Sequence, residues 1–175
     1  MFKVPRFNIY LLAALCLMIA GGCSSPEKKK KKEATEISLH LEVNQDGTTR
    51  NEPVPVLRGE HPIYVNVDKD PFLDTGHVEE ASLVNDMGGF SIQLKMNWQG
   101  TQLLDATTAA NRGKRIAVFC KFGRDPRWLA APQITKHLSA GVFTFTPDAT
   151  REEAERIVRG LNNLAQKVKK DAKWW

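Results

Sequence analysis

Gly141-Val-Phe-Thr-Phe-Thr146 followed by Thr150-Arg-Glu-Glu-Ala154 holds the start of the clearest element in the chain. Thr150 with Glu153 forms a capping box, in which each side chain satisfies a backbone N–H that the first helical turn leaves without a partner. Glu152, Glu153 and Glu155 load the positive end of the helix dipole with negative charge, and Lys167, Lys169 and Lys170 load the negative end. Between these ends Ala154, Ile157, Val158, Leu161, Leu164, Ala165 and Val168 recur at helical spacing, so one face is apolar and must be covered. Gly141–Thr146, just before it, reads as a strand.

Working outward, strands and turns dominate. Ile37-Ser-Leu-His-Leu-Glu-Val43 alternates with period two, a half-buried strand, and Asn44-Gln-Asp-Gly47 supplies turn chemistry. Glu52 to His61, with Pro53, Pro55 and Gly59, reads as an extended connection before a strand at Pro62–Val67. Asp74 is placed to cap a short helical turn running through His77 and Val78 to Ala81. A hairpin is predicted with arms Ala81–Val84 and Phe90–Met96 about Asp86-Met-Gly-Gly89, since Phe90, Ile92, Leu94 and Met96 share one face. Asn97 caps a helix from Trp98 to Arg112, and Gly113 is placed as its left-handed stop. Ile116–Cys120 is an apolar strand, Lys121–Trp128 a polar loop, and Ala130–Ile134 a further strand candidate. This alternation lacks the long βαβ rhythm of a parallel sheet, so the expected class is α+β: one mostly antiparallel sheet with helices packed on one face.

The first residues read as an export signal. Lys3 and Arg6 precede the apolar run Ile9–Ala20, which is shorter than the ~20 residues a spanning helix needs. Ala20-Gly21-Gly22-Cys23 then sets small residues before a cysteine, as in bacterial lipoproteins, making Cys23 the expected lipid attachment site and the bilayer the expected partner through it. Acyl chains contribute ~0.8 kcal/mol per buried CH₂, and two or more give stable anchoring. An uncleaved anchor, or a secretory signal with an incidental cysteine, is the plainer alternative. Ser24, a non-Asp residue after Cys23, implies an outer-membrane location facing the periplasm in a diderm cell.

The expected organisation is a signal at 1–22, a lipidated Lys-rich linker at 23–33, and an N-terminal strand with its extended connection at 34–61. A domain follows at 62–168, with a tail at 169–175. The net charge of +5 belongs to leader and linker, because residues 33–175 hold 18 basic against 19 acidic residues. Nucleic-acid binding therefore loses its main argument. The run Lys28–Lys32 has two readings, contact with anionic head groups or a solvated, self-repelling tether. With Cys16 in the signal and Cys23 acylated, Cys120 stands alone in an apolar strand and reads as a small buried hydrophobe.

With these residues in view, Pro62 to Lys167 resembles the P1 head subdomain of the SecD and SecDF translocase accessory proteins. The similarity is carried by Tyr64-Val-Asn-Val-Asp-Lys-Asp-Pro-Phe-Leu73, by His77-Val-Glu-Glu-Ala81 as a short acidic helix, and by Asn111-Arg-Gly-Lys-Arg-Ile-Ala-Val118 as a helix exit into a core strand. Trp128-Leu-Ala-Ala-Pro-Gln-Ile134, Gly141–Phe145 and Thr150–Ala154 continue it in the same order. Phe122-Gly-Arg-Asp-Pro-Arg127 departs from it as an insertion-like loop where the family has a tight turn. The resemblance implies an exported-side role in contact with emerging polypeptide or the translocase. The family's proton-driven pulling is not implied, because nothing after Cys23 approaches a membrane span.

A search for chemistry returns little. His40, His61, His77 and His137 show no metal-ligand spacing, no Ser lies in a GxSxG elbow, and no phosphate-binding glycine pattern is present. The expectation is a non-enzymatic protein without cofactor or metal. Arg124, Arg127 and Trp128 in the polar loop are the candidate partner-binding residues, while the core is the favoured place for Trp98 and Trp128. Trp174-Trp175 is either a second interfacial contact or a disordered end. Two function classes follow: a domain that captures secreted polypeptide, by adding a client strand to an open sheet edge, or an assembly lipoprotein that recognises one folded envelope partner.

Overall fold

The computed structural model describes residues 33–57, 61–123 and 125–171, without the side chains of Asp125 and Asp171. The signal, Cys23, the Lys run, Arg124 and the Trp174-Trp175 end lie outside these residues. In chain order the elements are β1 (Thr35–Leu41), β2 (Asn51–Val56), β3 (Ile63–Asp68), β4 (Leu73–Asp74), a 3-10 turn (Thr75–His77), β5 (Val78–Asp86) and β6 (Gly89–Met96). Helix α1 (Trp98–Ala110), β7 (Ile116–Phe122), β8 (Asp125–Ala130), β9 (Val142–Phe145) and helix α2 (Arg151–Asp171) complete them.

The class is α+β, with every strand pairing antiparallel. The strands divide among three sheets, β4-β1-β7-β8, β2-β3 and β5-β6-β9, where a single sheet was expected. The reason is visible in β7. Ile116, Val118, Cys120 and Phe122 join the main core with β1, β5, β6, β9 and both helices, whereas Ala117 faces a second cluster of Val54, Val56, Val65 and Val67. The apolar run that reads as one buried strand is therefore buried on both faces. The β2-β3 hairpin is the layer that covers the outer one.

That hairpin corrects the reading of Glu52–His61 as a connection. Pro53 and Pro55 sit within β2, opposite Asn66 and Tyr64. Two prolines at period two fall on the same side of the ladder, so their missing N–H groups cost β3 nothing, and Val54 and Val56 remain free to point inward.

Three further expectations shift. Asp74 does cap, its Oδ1 accepting the Gly76 N–H at 2.9 Å, but the helical turn ends at His77. Val78–Ala81 is strand, because pairing with Leu94 to Met96 outweighs the local preference. Lys121–Trp128 is not a loop: β7 extends to Phe122, which pairs with Asp125 across a tight reversal at Gly123. Ala130–Ile134 is strand only at its first residue, with one isolated bridge from Gln133 to Arg115 beyond it.

The helices behave as their caps dictate. Asn97 Oδ1 accepts the Gly100 N–H at 2.8 Å, and Gly113 takes φ +87°, a left-handed conformation that Cβ penalises. Thr150 and Glu153 exchange the two bonds of the predicted capping box, at 3.1 and 3.2 Å. Ala154, Ile157, Leu161 and Ala165 are buried under α2, and full burial of each Ile or Leu contributes about 1.5–3 kcal/mol. Val168 runs past the core and is 52% exposed.

Candidate functional site

A strand at the edge of a sheet presents N–H and C=O groups that another chain can pair with, and stable proteins cover them. Most edges here are covered by identifiable devices. Helix α2 runs along β5: Arg151 Nη2 donates to Asn85 Oδ1 at 2.8 Å, and Lys169 Nζ to Glu79 Oε1 at 3.2 Å. Between them Asn162 acts as a surrogate strand. Its Oδ1 accepts the Ala81 N–H and its Nδ2 donates to the Ala81 C=O, both at 2.8 Å.

Thr75 Oγ1 does the same for β1 beyond the short β4, accepting the Ile37 N–H at 2.7 Å and donating to its C=O at 3.1 Å. On the outer side of β8, Pro126 offers no N–H and the Leu129 C=O accepts the Asp148 N–H at 2.8 Å. The outward Asn66 C=O of β3 accepts the Val43 N–H at 2.9 Å.

β9 is different. Its register sets Phe143 against Leu94 and Phe145 against Ile92, and Met96 N–H donates to the Gly141 C=O at 2.9 Å. Alternate residues in a strand turn their peptide groups to opposite sides, so Val142 and Thr144 point theirs away from β6. Among the described residues no hydrogen-bond partner meets those groups. They open onto a cleft of about 440 Å³ whose walls include Gln133, Ile134, Leu138 and Phe143.

The opposite wall is also backbone. Ile116 N–H donates to the Pro132 C=O at 3.0 Å and Ile134 N–H to the Lys114 C=O at 2.8 Å, so the peptide groups of Gln133 face away from β7. The rest of that wall is pinned to α1 and the turn that follows it. His137 Nε2 pairs with Asp105 Oδ1, Leu138 N–H donates to Thr108 Oγ1 at 3.1 Å, and Arg112 Nη2 to the Thr135 C=O at 3.2 Å. At the mouth Gly141 (φ +67°) lies so close to α1 that a Cβ there would collide with Thr101 Oγ1. The cleft is thus built from fixed walls, mixed in polarity, with two short stretches of unpaired backbone.

Of the residues singled out from the sequence, those that are described lie elsewhere. Arg127 is not a surface cation: its side chain is 8% exposed, with Nη2 2.8 Å from Glu153 Oε2 and 3.2 Å from the Asp148 C=O, over the Phe122 ring. Trp128 is half-buried, its ring 5.1 Å from both His40 and Phe119, which agrees with the core placement favoured for it. Trp98 reverses that expectation at 79% exposed, because the first helical residue after Asn97 projects beyond the core. Cys120 is fully buried, and desolvation, opposed weakly by Arg127, pushes its thiol up to about 12. His77 pairs with Asp74 at 2.8 Å. His40 is held between the Asp68 C=O and Ser38 Oγ, at 2.8 and 2.9 Å. No group of three or more His, Cys, Asp or Glu side chains suited to a metal occurs among the described residues. Nor is any helix among them long and apolar enough to cross a membrane.

One family model matches the chain. The model of the SecDF P1 head subdomain matches residues 51–164. A solved structure of SecDF, described as a membrane component that enhances protein export, aligns at 18% identity over 82% of this chain and 70% of that one, with a TM-score of 0.57. SecDF in a super-membrane-facing form aligns at 15% identity and a TM-score of 0.48. The translocon-associated SecDF from Thermus thermophilus aligns at 16% and 0.42. The chain spans about a third of those two, at 32% and 34% of their length. No curated protein matches it in sequence. At 18% identity the first of these structures speaks for the fold alone, and the family model, which covers more than half of the chain, places it: this protein belongs to the SecDF P1 head subdomain family.

Proposed function

We propose that the protein is a membrane-anchored domain on the exported side of the membrane that captures extended segments of translocated polypeptide, without chemistry, by adding a client strand to the outer edge of β9. The observation that carries the reading is the pair of outward, unpartnered peptide groups at Val142 and Thr144, opening onto a cleft while neighbouring edges are sealed. Pairing through backbone groups tolerates varied client sequences, and alternate client side chains would enter a cleft that already offers Ile134, Leu138 and Phe143. Acylation of Cys23 would hold such a domain at a membrane on the exported side, an outer membrane facing the periplasm in a diderm cell as Ser24 implies, where it would meet chains already released into the periplasm.

The test is a photo-crosslinking residue at Gln133 in cells, with and without Thr144→Pro. Proline there removes the outward N–H and no backbone bond to β6, and apart from that N–H it costs the exposed hydrogen bond from Gln93 Nε2 to Thr144 Oγ1 at 3.5 Å. Capture of many unrelated secreted chains, lost on Thr144→Pro, supports strand addition. One recurring folded envelope protein, unaffected by Thr144→Pro, would replace it with the assembly role.

A further inference from the structure

The cleft beside β9 is a slot between two strands that meet at one end. The Leu129 C=O accepts the Asp148 N–H at 2.8 Å, and counting away from that bond in antiparallel register sets Gln133 across from Thr144 and Ile134 across from Phe143. The facing of the side chains agrees with that register. Gln133 and Thr144 are both exposed, Ile134 and Phe143 are both buried, and the peptide groups of Gln133, Val142 and Thr144 all turn into the gap. Yet among the described residues no backbone hydrogen bond joins 131–134 to 142–146, so beyond the fork at Leu129 the walls stand apart. At the far end residues 135–141 run from one wall to the other and close the slot there.

We propose that this slot takes the free carboxyl terminus of a polypeptide, an inference that rests on strand addition at β9, with the terminal carboxylate against Lys136. A strand added to an open edge ordinarily continues past both ends of the pairing. Here the fork blocks it in plane at one end and residues 135–141 block it at the other. An internal segment must bend out of the slot twice, whereas a chain end bends out once.

The charges select which end it is. Among the described residues that line the slot, Lys136 and His137 are the side chains able to carry charge, and both sit on the connecting segment, with no Asp or Glu beside them in the lining. His137 already pairs with Asp105, while among the described residues no carboxylate lies within 4.0 Å of Lys136. Thr135 and Ser139 add hydroxyl donors at the same end. Direction follows from this placement. β9 runs from the connecting segment toward the fork, so a client whose carboxylate meets Lys136 runs antiparallel to β9, the better-paired orientation, and parallel to residues 131–134. An exposed ion pair adds up to about fivefold in affinity.

The probe is a short peptide of alternating threonine and valine, labelled with fluorescein at its amino end and made both as the free acid and as the carboxamide. Fluorescence anisotropy with the full chain in detergent reads its affinity. The free acid is expected to bind about fivefold more tightly than the amide, Lys136→Gln to bring the acid down to the amide's affinity, and Thr144→Pro to abolish both. Equal affinities for acid and amide, lost together on Thr144→Pro, overturn the selection of a carboxyl terminus and leave strand addition standing. A preference for the acid that survives Lys136→Gln overturns the placement of the carboxylate. No binding of either form, or binding indifferent to Thr144→Pro, removes the strand-addition reading and this inference with it.

Discussion

Removing the two members of the Arg127–Glu153 pair one at a time is expected to have unequal consequences. Arg127 is 8% exposed and Glu153 32% exposed, so the cation lies in the interior and the carboxylate at its margin. Arg127→Met takes away the buried charge together with its contacts to Glu153, the Asp148 C=O and the Phe122 ring, but the carboxylate left behind keeps solvent and the Thr150 N–H at 3.1 Å. The cost lies between that of a surface pair and a fully buried one, about 1–2 kcal/mol. Glu153→Ala strands a guanidinium in the core, a loss of about 3–5 kcal/mol, and also breaks the capping box, worth about another 1 kcal/mol. The double variant Arg127→Met/Glu153→Ala should then be more stable than Glu153→Ala alone, since the second change removes the orphaned charge. Urea unfolding of the four proteins, followed by tryptophan fluorescence, reads these differences directly. Equal costs for the single changes, or a double variant that is simply additive, would refute the claim that the buried guanidinium governs the site.

Other consequences follow from groups already placed. Asn162→Ala removes two hydrogen bonds, about 1–3 kcal/mol together, and uncovers the Ala81 peptide groups on β5. Both lower urea resistance and concentration-dependent association in sedimentation velocity are expected, and unchanged values would show that α2 alone guards that edge. Burial opposes ionisation of Glu33, but Arg159 and then Arg156 outweigh it and hold its carboxyl below the usual value of 4.5. A depressed carboxyl stabilises the fold above its unfolded value and loses that contribution as pH falls through the folded one. The acid limb of a pH–stability curve should therefore flatten in Arg159→Ala, and an identical limb would show the clamp to be inert. The thiol of Cys120, raised to about 12, should resist a chromogenic disulfide reagent at neutral pH until the chain is unfolded by denaturant. Prompt reaction in the native protein would contradict its burial.

Local signals made the helices and the class legible. The caps at Asn97 and Thr150 and the β5–β6 alternation each act within a few residues, and each is found where the sequence placed it, while the helix expected to run to Arg112 ends at Ala110 with Asn111 as its cap, two residues before the left-handed Gly113. Misreadings came where one residue type carries two meanings. Pro53 and Pro55 signal a break unless a partner strand lies on the side that does not need their N–H, and β3 does. Gly123 beside charged residues signals a loop unless Phe122 and Asp125 pair across it. Arg127 signals a surface unless Glu153, distant in sequence, is there to neutralise it, and Trp98 signals a core unless the helix it begins sends it outward. The cleft at β9 was hidden for the same reason. Gly141 and the alternation after it mark a strand, but whether that strand has a second neighbour depends on where residues 132–140 go, and they go to α1.

The distribution of edge protection bears on function more directly than any single side chain. Sealing an edge with an amide, as Asn162 does, requires a helix held at one height along the strand, and Gly160 shows how tightly α2 is held: a Cβ there would lie 3.0 Å from the Thr35 backbone nitrogen and overlap its hydroxyl. A fold that constrains a long helix this closely in order to close β5, uses Thr75 to close β1 and places Asp148 and Pro126 along β8 does not leave β9 open for want of means. Exposed edges carry an aggregation hazard, so an open one is retained where pairing is useful. The hazard is contained here by length. β9 has four residues and offers two outward peptide groups, enough to hold an extended segment weakly and release it, and too few to template a stable sheet between copies. Weak, sequence-tolerant and reversible pairing is what the proposed contact with a passing polypeptide would demand, and lengthening β9 past Phe145 should add concentration-dependent self-association in sedimentation velocity.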